Sequence, residues 1–194
     1  MDELDLVRAA QSGDQGAFGR LVEQNQSKIY SLCYRMTGNP EDAADLTQEA
    51  FLNAWRGLSG FGGQSAFSTW LYRLASNACI DFLRREKRRG SLSMTLEDED
   101  EDRQADLPDQ RWSPERELER KEVRQALQAG LSALSPEHRQ VLLLREAEGL
   151  SYQEIAQVLD LEEGTVKSRI ARARMALKEF LVKSGNFSLP PPSK

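Results

Sequence analysis

Residues 150–178 read LSYQEIAQVLDLEEGTVKSRIARARMALK, and two apolar stripes in this stretch set the architecture of the C-terminal half. Ser151 and Glu154 form an S-x-x-E capping box, the signature of a helix start. From there Tyr152, Ile155, Ala156 and Leu159 recur at i, i+3, i+4 and i+7, which predicts a helix with one buried face up to about Asp160. The string LEEG, 161–164, reads as a short turn containing Gly164, with Thr165 as the cap of a second helix. Val166, Ile170, Ala173 and Leu177 mark that helix's buried stripe. Two helices joined by so short a turn predict a helix-turn-helix.

The second helix carries Lys167, Arg169, Arg172, Arg174 and Lys178 and no acid from Thr165 to Lys178, in a chain of formal charge -5. At about 100° per residue, Lys167, Ser168, Ala171, Arg172 and Met175 point away from the buried stripe, while Arg169 and Arg174 flank it. The outward set suits a DNA major groove and the flanking arginines suit phosphates. A helical hairpin with a solvated basic face is the competing reading of this segment alone.

Working outward, the rest of the chain is also helical in pattern. Asn39-Pro40-Glu41, Ser113-Pro114-Glu115 and Ser135-Pro136-Glu137 each set a capping residue before a proline at the first helical position and an acid in the first turn. Between about Ser91 and Trp112 the periodicity stops, and six acids run from Glu97 to Asp102, a block that repels itself and stays extended. The expected fold is all-α: a helical unit over 1–90, a flexible acidic linker over 91–113, a second helical unit over 114–183 with the helix-turn-helix, and a disordered tail over 184–194.

The 194 residues suffice for two small cores, and a mean hydropathy of -0.60 with no long apolar run argues against membrane insertion. The acidic start MDELDLVRAA is unlike a signal peptide, which points to the cytoplasm. Cys33 and Cys79 read as two buried thiols without a disulfide framework. His138 is the only histidine, no glycine-rich phosphate loop occurs, and no residue spacing suggests a metal, so no catalytic residue, metal or cofactor is expected.

The first unit ends in a second basic constellation. Phe67, Leu71, Leu74, Ala78 and Phe82 form the stripe of a long helix that closes with Arg84, Arg85, Lys87, Arg88 and Arg89 against Glu86 alone. Trp70 and Tyr72 flank the stripe, and Arg73, Ser76 and Asn77 face away from it. Aromatics beside cations are what a single-stranded nucleic acid requires, since bases stack on rings and phosphates pair with Lys or Arg. The two aromatics read equally well as the edge of a core.

The strings GDQGAF (13–18), DLTQEAFLNAW (45–55), FSTWLYRLASN (67–77), GLSYQEIAQVL (149–159) and EGTVKSRIARAR (163–174), in this order and spacing, resemble the extracytoplasmic-function (ECF) sigma factors of bacterial RNA polymerase, members of the sigma-70 family. The resemblance implies a non-enzymatic subunit that binds core polymerase, reads minus-35 and minus-ten elements and helps open the DNA. It implies that Asp45, Gln48, Glu49, Phe51 and Leu52 dock on a coiled coil of the largest core subunit, with the flap of the second-largest subunit as a further partner. It places Phe61 and Asn77 at the minus-ten element and its melting, to which the residue pattern adds Phe67, Trp70, Tyr72, Arg73, Arg84 and Arg85, and it places Lys167, Ser168, Ala171 and Arg172 at the minus-35 element, with Arg169 and Arg174 flanking them. Relatives are commonly held by an anti-sigma factor, some at the membrane.

The chain departs from the family pattern at Gly62 and Gln64, where many relatives have a basic residue and an acid, and at Asn25, where an aromatic is common. Two rival readings are an ordinary helix-turn-helix regulator that binds an operator without polymerase, and an interaction protein whose basic faces meet acidic partners.

Overall fold

A computed structural model describes the chain over residues 2–93 and 114–184, with side chains described over 2–89 and 121–184. The acid run Glu97–Asp102, the Ser113 cap and the tail beyond 184 lie outside the described residues. Among the described residues all regular structure is helical: α1 (Glu3–Gln11), α2 (Gln15–Thr37), α3 (Pro40–Gly57), a 3-10 turn (Leu58–Gly60), α4 (Phe67–Ser93), α5 (Pro114–Ala133), α6 (Pro136–Glu146), α7 (Tyr152–Leu159) and α8 (Glu163–Lys183). No helix among them is long and apolar enough to cross a membrane.

The N-terminal unit is built on α2, α3 and α4, with α1 laid across α2. Leu21, Ile29, Leu32, Cys33 and Met36 of α2 follow the i, i+3, i+4 rule and are fully enclosed. They meet Ala43, Ala50 and Ala54 of α3, small residues that let the two backbones approach closely. The Asn39 carboxamide oxygen accepts from the N–H groups of Glu41 (2.8 Å) and Asp42 (3.1 Å), as its place before Pro40 predicts. Asn25 is buried, its amide satisfied by Leu21 O at 2.8 Å. Cys33 and Cys79 are free and buried, as the composition suggests.

In the C-terminal unit, Val141 to Leu144 of α6 and Ile155 and Val158 of α7 close on Val166, Ile170 and Ala173 of α8. Gly130 lets α5 lie against α8, where a Cβ would stand 2.6 Å from Leu177 Cδ1. Ser135 caps α6, and Ser151 and Glu154 make both halves of the capping box, at 3.1 Å and 2.8 Å.

Three expectations need correction. The turn of the helix-turn-helix is shorter than LEEG: Asp160 takes the left-handed conformation (φ 54°), which an Asp tolerates, and α8 starts at Glu163. Gly164 and Thr165 therefore lie inside its first turn. In α7 the buried pair is Ile155 and Val158, with Tyr152, Ala156 and Leu159 half-buried, because this helix packs on α4 as well as α8. In α4, Leu74 and Phe82 are half-buried, whereas Thr69, Tyr72 and Ser76 are enclosed, and the helix runs past residue 90 to Ser93.

Candidate nucleic-acid interface

Helix α4 presents an open arc between its two packed sides. Arg73, Asn77, Arg84 and Arg85 are exposed and Trp70 is half-exposed, so these five occupy the face expected of them. Phe61 and Phe67 lie off that face: at 8% and 1% exposure they are enclosed, Phe67 as its place in the apolar stripe predicts, with Phe61 stacked on Trp70 at 4.9 Å and Phe67 tilted against it at 5.7 Å. Their place is beneath the loop, where they hold the Trp70 ring in position. Tyr72 is also enclosed, and its hydroxyl donates to Glu148 of the C-terminal unit at 2.7 Å. Burial, then the Glu148 carboxylate, push its phenol well above the ordinary value.

The loop before α4 is tied down by residues that the motifs did not single out. Gln11 of α1 donates to Leu58 O at 3.0 Å and Phe61 O at 2.8 Å, and Glu3 accepts from the N–H of Phe67 at 2.9 Å, capping the start of α4. Gly63 adopts φ 68°, which lets the segment reverse direction. No local pattern signals these anchors, since each joins residues about fifty or more positions apart.

On α8 the rotation read from periodicity holds: Lys167, Ser168, Ala171, Arg172 and Met175 are exposed, Arg169 is half-buried at the flank, and Val166 and Ile170 face inward. Glu163 Oε1 lies 2.6 Å from Lys167 Nζ and raises its pKa by hydrogen bonding. Tyr152 sits under two cations, Arg145 at 4.7 Å and Lys167 at 5.6 Å from its ring centre. Arg174 is bound to Glu146 of α6. The basic surface thus includes carboxylates that hold its cations in fixed poses.

A third surface lies on the far side of the N-terminal unit. Asp45, Gln48, Glu49 and Leu52 are exposed along one face of α3, and Phe51 is enclosed beneath them. Leu52 (54% exposed) and Trp55 (38%) border a groove of about 380 Å³ floored by Phe18, Val22 and Phe51. Apolar side chains left open beside acids suit docking of a partner helix.

The described units coincide with two family models: Sigma-70 region 2 matches residues 21–89 and Sigma-70 region 4 matches 124–177. The chain is 42% identical over 181 residues to the RNA polymerase sigma-H factor of Pseudomonas aeruginosa, covering 91% of this chain and 92% of that one. The chain belongs to the extracytoplasmic-function sigma factors. The sigma-E factor of Escherichia coli is 41% identical over 173 residues, covering 89% of this chain and 90% of the relative. SigE of Mycolicibacterium smegmatis is 39% identical over 175 residues, of which the chain spans 65%. Among solved structures, the sigma factor RpoE of Bartonella quintana in complex with the anti-sigma factor NepR superposes with a TM-score of 0.67 at 25% identity, covering 85% of this sigma factor and 96% of that chain. CnrH in complex with the cytosolic domain of CnrY gives 0.66 at 26%, covering 93% and 97%.

Proposed function

We propose that this sigma factor docks on core polymerase through the α3 face that carries Asp45, Gln48, Glu49 and Leu52, with the groove at Trp55 taking part. As a member of its family it is a transcription initiation factor that binds core RNA polymerase and promoter DNA, not an enzyme. The minus-35 element falls to Lys167, Ser168, Ala171 and Arg172, with Arg169 and Arg174 at phosphates. The minus-ten single strand falls to Trp70, Arg73 and Asn77, with Arg84 and Arg85 on the backbone. An amide such as Asn77 offers both a donor and an acceptor to a base edge. Tyr72 joins this set when Glu148 releases it, and Phe61 and Phe67 act as the bed of the reading loop.

The observation that carries this reading is that two separate faces stay open, one on α4 and one on α8, each inside a matched sigma region. Division into an N-terminal and a C-terminal functional unit follows from it, with an anti-sigma partner and action in the cytoplasm as further parts of the proposal. A gel shift with and without core polymerase tests it. Promoter binding that appears only with core supports it, whereas tight binding by the chain alone favours the ordinary regulator.

A further inference from the structure

Met175 is left over from both the fold and the contacts proposed for α8. At 63% it is the most exposed of the large apolar side chains among the described residues. A single exposed apolar residue is ordinary on a protein surface, and what gives this one meaning is its bearing.

The inner side of α8 is made by Val166, Ile170 and Ala173, all buried, with Leu177 half-buried. At about 100° per residue, Met175 stands about 170° round the helix from the middle of that stripe, so it points almost straight away from the core. Arg172 and Lys178, three residues to either side, diverge from it by about 60° in opposite directions. Both are exposed, and so is Ala171 one turn earlier. Met175 therefore occupies the midline of the helix face, with a cation on each flank. Glu179, one turn beyond, is exposed and anionic, and it marks the end of the surface that phosphate can approach.

The C-terminal unit matches Sigma-70 region 4, and members of the family bind promoter DNA. On a helix laid in a major groove, flanking cations meet the phosphates while the midline faces the base edges. Those edges are polar apart from one group, the C5 methyl of thymine. A thioether side chain donates no hydrogen bond and accepts only weakly, so against a guanine, adenine or cytosine edge it would strip water and return nothing. Against a methyl it gains contact area, and its unbranched, polarisable chain adapts to the fit. The rise from Arg172 to Met175 is about 4.5 Å, against ~3.4 Å per base pair, which sets Met175 one or two pairs from the base that Arg172 reaches.

We propose that Met175 is a specificity-determining residue of the minus-35 site: it packs on a thymine methyl in the major groove, one or two base pairs from the pair read by Arg172, and selects A·T over G·C there. Ala171 extends the same apolar strip toward the start of α8. The proposal rests on the assignment of α8 to the minus-35 element and adds to it a residue that forms no hydrogen bond to a base.

The test uses the full chain in complex with core polymerase and promoter fragments that this complex selects from a library randomised over the minus-35 element. Each thymine of the selected element, on either strand, is replaced in turn by deoxyuridine, which removes the methyl and keeps the base pair. Competition binding should show a loss of about fourfold at one thymine, the equivalent of about 0.8 kcal/mol for one buried methyl-sized group. Met175→Gln, of similar length but polar at its end, should abolish that penalty, and Met175→Leu should retain it. Both variants should melt as the wild type does, since the position is exposed. No penalty at any thymine, or a penalty that persists in Met175→Gln, overturns the proposal. Arg172→Ala on the same fragments separates the two levels: if it too leaves every preference unchanged, the assignment of α8 falls and the role of Met175 falls with it.

Discussion

Arg174 Nε donates to Glu146 Oε1 at 2.9 Å, joining the flank of α8 to the last residue of α6. Arg172, two residues earlier and so on the other side of α8, is exposed and has no such restraint among the bonds of the described residues. Arg172→Ala should flatten the preference among minus-35 variants, by about 1–3 kcal/mol for a lost bidentate contact. Arg174→Ala should weaken all variants alike and reduce the salt slope by about one unit. Both are measured in the complex with core, by competition binding across salt concentrations; identical behaviour would show the rotation of α8 on DNA to be misassigned.

Glu146→Gln tests the restraint itself. With the carboxylate gone, Arg174 is free to meet phosphate and a local negative charge is lost. Affinity for promoter fragments should rise uniformly, with no change in ranking among variants. A changed ranking would place Glu146 at a base edge instead.

At the α3 face proposed to dock on polymerase, Leu52 is more than half exposed beside the acids. Leu52→Arg should weaken core binding at least about tenfold, since about 1.4 kcal/mol is lost when a central apolar anchor is replaced. Thermal stability should be unchanged because the side chain packs little within the chain. Titration of labelled core and a melting curve together check both halves.

Gln11 donates twice to the segment before α4, to Leu58 O and Phe61 O. Gln11→Ala leaves Leu58 O and Phe61 O without that amide, at about 1 kcal/mol for each bond, and should loosen the bed under Trp70. The expected result is normal core binding with reduced promoter opening, read by permanganate reactivity of unpaired thymines.

The capping box gives a pH dependence. Hydrogen bonds from the Ser151 hydroxyl and backbone hold the Glu154 carboxyl below its ordinary value of 4.5. A depressed acid contributes stability that is present above the unfolded value and lost as pH falls through the folded one. Ser151→Ala should cost about 1 kcal/mol near neutrality. The melting-temperature gap between wild type and Glu154→Ala should be full at pH 7 and close as pH falls through the lowered folded value of the carboxyl.

Much of this molecule is legible in the chain because it is local. The caps at Asn39, Ser135 and Ser151 involve residues two or three apart, and the outward face of α8 follows from a fixed rotation per residue. The turn after α7 was harder to place, because Asp160 rather than a glycine takes the left-handed step. Periodicity predicts a single stripe on α4, whereas the helix is packed on two sides and open only along a narrow arc.

By itself the sequence determined the all-helical class, the two units, the basic faces and the family, since each depends on neighbours within a few turns or on ordered motifs. Tertiary structure alone decided that Phe61 supports the loop instead of facing outward, that Glu3 and Gln11 anchor it, and that Tyr72 lies under Glu148. The physical reason is distance along the chain. Tyr72 and Glu148 stand 76 positions apart, and Arg139 and Met36 stand 103 apart. A hydroxyl, a carboxylate or a guanidinium carries no mark of which distant helix end will complete its hydrogen bonds until the packed cores bring the two together.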